Sequence, residues 1–153
     1  MEIYIYTFLF LLTMLSLYHL GKQIETDKSW IYYLPGMLCY TLNEGLRWGR
    51  GLDYNYYKPR FDKLLEGYES TWEQTFQFVV KLFGIFNLDF QCFLIFSSFL
   101  LIIALIMIAK MNKNIAKFFL PCFYVFSISY VECHIRWYFA LTFLFMAISV
   151  AFS

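Results

Sequence analysis

Charge is scarce in this sequence. Only 15% of its 153 residues are Asp, Glu, Lys or Arg, whereas 61% are hydrophobic and 24% aromatic. Soluble domains carry roughly 25% charged residues. A soluble fold of this length leaves about 30% of its unfolded-chain surface exposed, which is too much to clothe with so few polar groups. Lipid is the solvent that fits. The net charge is only +1 and no basic tract occurs, which excludes a nucleic-acid surface.

Metal-binding patterns are missing as well. Cys39, Cys92, Cys122 and Cys133 are widely spaced and mostly inside apolar runs, with no CxxC or Cys/His spacing. Neither a disulfide framework nor a metal centre is expected, and the four read as small core residues. No Walker loop, HExxH, GxSxG or dinucleotide fingerprint is present, so no nucleotide, metal or other cofactor is implied. The N-terminus has no Lys or Arg before Lys22 and no Ala-x-Ala-like site after its apolar run. Those features of a signal peptide being absent, Ile3–Leu20 reads as a retained membrane helix.

Apolar runs dominate what is there. A bilayer core of ~30 Å takes about 20 apolar residues in helix. The stretches that approach it are Ile3–Leu20, Trp30–Leu46 (interrupted by Pro35-Gly36), Phe90–Ala109, Ile115–Val131 (interrupted by Lys117 and Pro121) and Trp137–Ser153. Trp72–Leu88 differs: Phe76, Val79, Val80, Phe83 and Phe86 recur at helical spacing with Glu73, Gln77 and Lys81 elsewhere, the pattern of an amphipathic interfacial helix. The expected fold is an all-α integral membrane protein, a bundle of four or five transmembrane helices with one amphipathic helix. It forms a single transmembrane domain over 1–153, with 47–89 as an extracytoplasmic loop plus that helix.

Topology follows from the lysines. Lys110, Lys113 and Lys117 flank a short loop, which the positive-inside rule makes cytoplasmic, along with Lys22 and Lys28. A re-entrant Trp30–Leu46 would instead bring the long loop inside, and six of the twelve basic residues lie between Arg47 and Lys81. Acids balance those bases and long loops obey the rule poorly, so the loop is placed outside.

Two constellations offer chemistry. The first is the Leu46–Phe61 segment, with Arg47, Arg50, Asp53, Arg60, Tyr54, Tyr56 and Tyr57, and with Gly49 and Gly51 letting the backbone turn or approach a ligand. Guanidinium forks suit phosphate, and tyrosines suit the faces and hydroxyls of sugars. Recognition of an anionic, sugar-bearing lipid is one reading; a loop of interfacial anchors is the other. The second runs from Glu132 to Trp137. On one continuous helix Glu132 and Arg136 would pair at four-residue spacing. Alternatively Arg136 faces the same cavity as Arg47, since an ionisable group at membrane depth usually serves a site. His19 reads as interfacial, and Glu44 as a cavity group or a headgroup contact.

The order Arg47…Gly51-Leu52-Asp53…Tyr57…Phe61, then Glu66-Gly67-Tyr68-Glu69 and an aromatic helix, resembles the EpsG family of Wzy-like polysaccharide polymerases. That family's Ile-Arg-Gln-x-x-Ala motif is matched by Ile135-Arg136-Trp137-Tyr138-Phe139-Ala140, with Trp137 replacing Gln. The resemblance spans nearly the whole chain, though its motifs are short and specific only in combination. Members are usually longer, so it implies an N-terminal portion that is not competent alone.

The resemblance further implies a multi-pass protein of the inner (cytoplasmic) membrane. Such a protein joins polyprenyl-diphosphate-linked oligosaccharide units in exopolysaccharide, capsule or O-antigen biosynthesis, beside membrane lipid and other polysaccharide-assembly proteins. Arg47, Arg50, Tyr57 and Arg136 would bind substrate, and Asp53 or Glu69 would be the general base; no nucleic acid, metal or cofactor is implied. A multi-pass polysaccharide or lipid-carrier transporter is the alternative, although no internal repeat with paired broken helices is seen. A truncated, non-catalytic fragment is a further one.

Overall fold

The computed structural model describes residues 2–46, 52–68 and 71–152, and for 2, 3, 52, 53 and 128–133 the backbone alone. The fold is all-helical, with no strand among the described residues. In chain order the helices are α1 (Glu2–Glu25), α2 (Leu34–Gly45), α3 (Leu52–Leu65), α4 (Gln74–Ile85), α5 (Phe90–Met111), α6 (Ala116–Cys133) and α7 (Ile135–Ala151). Single 3₁₀ turns precede α2 (Trp30–Tyr33) and α6 (Lys113–Ile115). Two segments, Tyr4–Glu25 and Phe90–Met111, are long and apolar enough to cross a membrane, and α7 is apolar but shorter.

Local chemistry sets the boundaries. Pro35, expected to interrupt its run, instead starts α2, where a missing N–H costs nothing. Three helices stop in the same way, with a left-handed residue just beyond them: Asp27 (φ 52°), Gly67 (φ 91°) and Asn87 (φ 52°). Each is followed by an N–H that reaches back to the last turn: Lys28 to Gln23, Tyr68 to Lys63 and Leu88 to Phe83. The Asp89 carboxylate caps α5 by accepting the Cys92 N–H at 2.8 Å.

Small residues let the helices approach. A Cβ on Gly21 would lie 2.3 Å from the Lys117 Cα, so α1 and α6 cross backbone to backbone. Asn43 joins three helices, donating to Thr13 Oγ1 at 3.0 Å and Tyr124 Oη at 2.8 Å. Glu44 beside it is fully buried, hence not a headgroup contact. Further packing sets α2 and α7 against α5.

The bundle has two distinct ends. At one, Lys117 binds Glu25 and Lys113 binds Asp27, both at 2.9 Å, and Lys110 lies 5.1 Å from the Tyr33 ring centroid. At the other, Gln91 donates to the Gly45 carbonyl, and α3 and α4 lie against the start of α5 and α7. The segment read as a loop thus contains helix α3, with Pro59 inside it. Tyr54, Tyr57, Phe61 and Leu64 fall on one face and are all buried, which drives the helix despite the proline. The amphipathic helix forms as expected over Gln74–Ile85, burying Phe76 and Val80. Of the cysteines read as core, Cys122 is exposed and Cys39 and Cys92 are half-buried, because the α6 face carrying Cys122 looks outward.

Candidate functional site

An aromatic floor builds the second end. Phe93 of α5 lies within 6 Å of Phe61, Phe76, Phe83 and Phe139, and the cluster continues through Phe90 to Tyr54. Tyr57 rests on this floor between Trp72 (5.4 Å between ring centroids) and Phe76 (6.5 Å). Such contacts add about 0.5–1.5 kcal/mol per pair beyond area burial. They fix where the Tyr57 hydroxyl points.

That hydroxyl meets Arg136. The Arg136 Nε donates to Tyr57 Oη at 2.7 Å, and its Nη1 donates to Glu73 Oε2 at 2.6 Å. The arginine side chain is 29% exposed and Glu73 68% exposed. The Glu73 carboxyl is held below its ordinary value, first by its own backbone N–H and then by the Arg136 hydrogen bond and charge. The site is therefore a cation with one face on a dry aromatic bed and the other on an accessible carboxylate.

Not every expected residue joins it. Tyr57 and Arg136, 79 positions apart, are brought together. Arg47, Arg50 and Glu69 lie outside the described residues, as does the side chain of Asp53. The Glu132–Arg136 helix pair fails in its premise: His134 separates α6 from α7, so the two residues do not share one helix. Arg136 pairs with Glu73, and the Glu132 side chain lies outside the described residues. Tyr54 and Tyr57 are packed away rather than offered to sugar, whereas Tyr56 and Tyr68 are exposed. Arg60 covers the Tyr56 ring at 3.3 Å on the outer face. Glu73 was missed because it reads as one polar-face residue of an amphipathic helix; its place just before α4 was the available signal.

Two openings flank the cluster. A cleft of about 630 Å³ between the ends of α3 and α4 is lined by Asp62, Lys81, Asn87 and Asp89 over Leu65 and Ile85. A groove of about 470 Å³ runs along α7 beside His134, Trp137, Tyr138 and Leu141. Among the described residues no group of three His, Cys, Asp or Glu is disposed to hold a metal.

Among the described residues the fold is all-helical, and two of its helices are long and apolar enough to cross a membrane, as in a helical membrane protein. The EpsG family pattern matches residues 30–152, most of the chain. The chain belongs to the EpsG family, a family of Wzy-like polymerases. No curated protein and no solved structure matches it.

Proposed function

We propose that this chain is a polysaccharide polymerase-like protein that joins polyprenyl-diphosphate-linked oligosaccharide units at the outer face of the cytoplasmic membrane. The observation that carries the reading is the Arg136–Tyr57 hydrogen bond, which joins one residue from each of the two motifs that carry the sequence resemblance. In the reaction an acceptor hydroxyl attacks the anomeric carbon of the donor. The bond from that carbon to the diphosphate oxygen breaks, and the electron pair leaves with the diphosphate. Arg136, with Arg47 and Arg50, offsets the charge that develops there. Asp53 or Glu69 takes the acceptor proton. Tyr57 keeps the Arg136 fork oriented, and positioning of this kind supplies much of the barrier reduction.

The membrane arrangement in this reading is multi-pass. Helices α1, α2, α5, α6 and α7 alternate in direction, with Lys113 and Asp62 at opposite ends. Helix α2 and its 3₁₀ turn reach about 26 Å, near the ~30 Å of a bilayer core. Single cysteines at 62 and 113, in a background lacking the native four, test this: an impermeant reagent on intact cells should label 62 alone. Labelling of 113 alone would invert the placement.

The chemical test compares Arg136→Lys with Arg60→Lys in vesicles holding polyprenyl diphosphate. Lysine keeps the charge but loses the fork, so Arg136→Lys should weaken binding about tenfold or more while Arg60→Lys is neutral. Equal tolerance of both would leave only an interfacial anchor.

A further inference from the structure

Arg136 already holds an anion, and that anion belongs to the protein. A guanidinium offers two forked edges, one pairing Nε with Nη2 and the other pairing Nη1 with Nη2. Tyr57 Oη occupies Nε and Glu73 Oε2 occupies Nη1, so each edge has one donor committed. A phosphate group that needs a complete fork has to take one of these positions. The two occupants differ in how readily they yield. Tyr57 is 5% exposed and wedged between Trp72 and Phe76, so removing its hydroxyl means opening the aromatic floor. Glu73 is 68% exposed and sits just before the first turn of α4, so withdrawing its side chain into solvent leaves the aromatic floor intact.

We propose that Glu73 is a built-in counter-ion, which occupies the anion position of Arg136 in the unliganded protein and is displaced by the diphosphate of the lipid-linked substrate. The assignment rests on the reading of Arg136 as the diphosphate-binding group. Its consequence is reversible: Glu73 competes for Arg136 while the diphosphate is bound and returns as it leaves. A substrate with two phosphates outcompetes a single carboxylate. A ligand bearing one phosphate or one carboxylate gains less over the resident group, so Glu73 also sharpens selection for diphosphate. The cost is weaker binding, and the gain is faster release of the spent carrier.

The test uses the whole chain in lipid vesicles with inorganic diphosphate as probe, then vesicles containing polyprenyl diphosphate or polyprenyl monophosphate. Glu73→Gln keeps the size of the side chain and removes its charge; Glu66→Gln, an exposed acid on no part of this site, is the control. Glu73→Gln should bind diphosphate on the order of tenfold more tightly, chiefly through slower dissociation. It should also narrow the preference for diphosphate over monophosphate, and Glu66→Gln should change neither. Unchanged or weaker binding in Glu73→Gln, with binding still abolished by Arg136→Gln, would overturn the counter-ion role and leave Glu73 a prop for the arginine. Diphosphate binding that survives Arg136→Gln would instead remove the reading on which the proposal stands.

Discussion

Both ends of the bundle use cations to reach across the chain, yet the cations work against different surroundings. At the lysine end, Lys117 and Lys113 meet Glu25 and Asp27 in pairs that clamp α1 to the α5–α6 turn. The Asp27–Lys113 pair stands open to water, its side chains 72% and 41% exposed. At the arginine end, Tyr57 and the aromatic residues of α3, α4, α5 and α7 exclude water from one side of Arg136. The same kind of charge is a fastener in the first setting and, in the function proposed above, a ligand site in the second. What separates them is the floor, since electrostatic interactions strengthen as the effective dielectric falls.

Removing the floor is therefore the strongest way to break the comparison. Phe93 is fully buried at the centre of the aromatic cluster. Phe93→Ala should cost about 3–5 kcal/mol, as large-to-small changes at packed phenylalanines do. The damage should be local. Protease cleavage between α3 and α4 should accelerate, while cross-linking at the lysine end stays as in the parent. Equal loosening of both ends would mean that the cluster has no special hold on α3 and α4.

A smaller effect is expected from the opposite end. Gly21→Ala places a methyl group against the Lys117 backbone, which cannot rotate away. Overpacking of this kind costs about 1–3 kcal/mol. Tyr18 and Phe118, whose rings lie 6.4 Å apart, mark the same crossing. Cysteines introduced at 18 and 118 should cross-link more slowly once Gly21 is replaced, with diphosphate binding at the far end retained. An unaltered cross-linking rate would show that α1 and α6 are not held at this contact.

How much of this was legible beforehand differs between the ends in the same way. Hydropathy exposes long apolar helices directly, and lysine spacing marked the α5–α6 turn. At the arginine end composition misled. Tyr54, Tyr57, Phe61 and Leu64 stand at helical spacing, but Arg, Gly, Asn and Pro59 around them read as a loop, because the burial that favours α3 comes from residues distant in sequence, Phe90 and Phe93. Pro35 read as an interruption because its place at the start of α2 depends on a turn beginning at Trp30. The order of motifs made Arg136 and Tyr57 candidates together, and the fold puts the two in hydrogen-bond contact. Glu73 was not foreseeable in that way: a carboxylate four residues from Arg136 was the obvious partner, and only the break at His134 redirects the arginine.

The Glu25–Lys117 pair sharpens the comparison further. Its side chains are 29% and 26% exposed, more sheltered than those of the neighbouring pair. Glu25→Gln should cost about 1 kcal/mol or less, and molar salt should remove much of the difference. Thermal midpoints in detergent at low and high salt would measure it. A loss as large as that of Phe93→Ala would erase the distinction between fastener and site.

The smallest effect is expected at Asp27. Its side chain is 72% exposed and its backbone occupies the left-handed position after α1, which asparagine also accepts. Asp27→Asn thus removes a charge and leaves the turn. The Lys113 hydrogen bond and charge hold the Asp27 carboxyl below its ordinary value of 3.8, against a small opposing contribution from burial. A carboxyl depressed in the folded state adds stability that is present above 3.8 and is lost as pH falls through the lower folded value. The parent should therefore exceed Asp27→Asn slightly in thermal midpoint at neutral pH and low salt. That margin should disappear in strong acid, where both side chains are neutral. It should also disappear in molar salt, where the screening length falls to about 3 Å. A margin that persisted under both conditions would place the effect in the turn, and the Asp27–Lys113 pair would no longer count as a fastener.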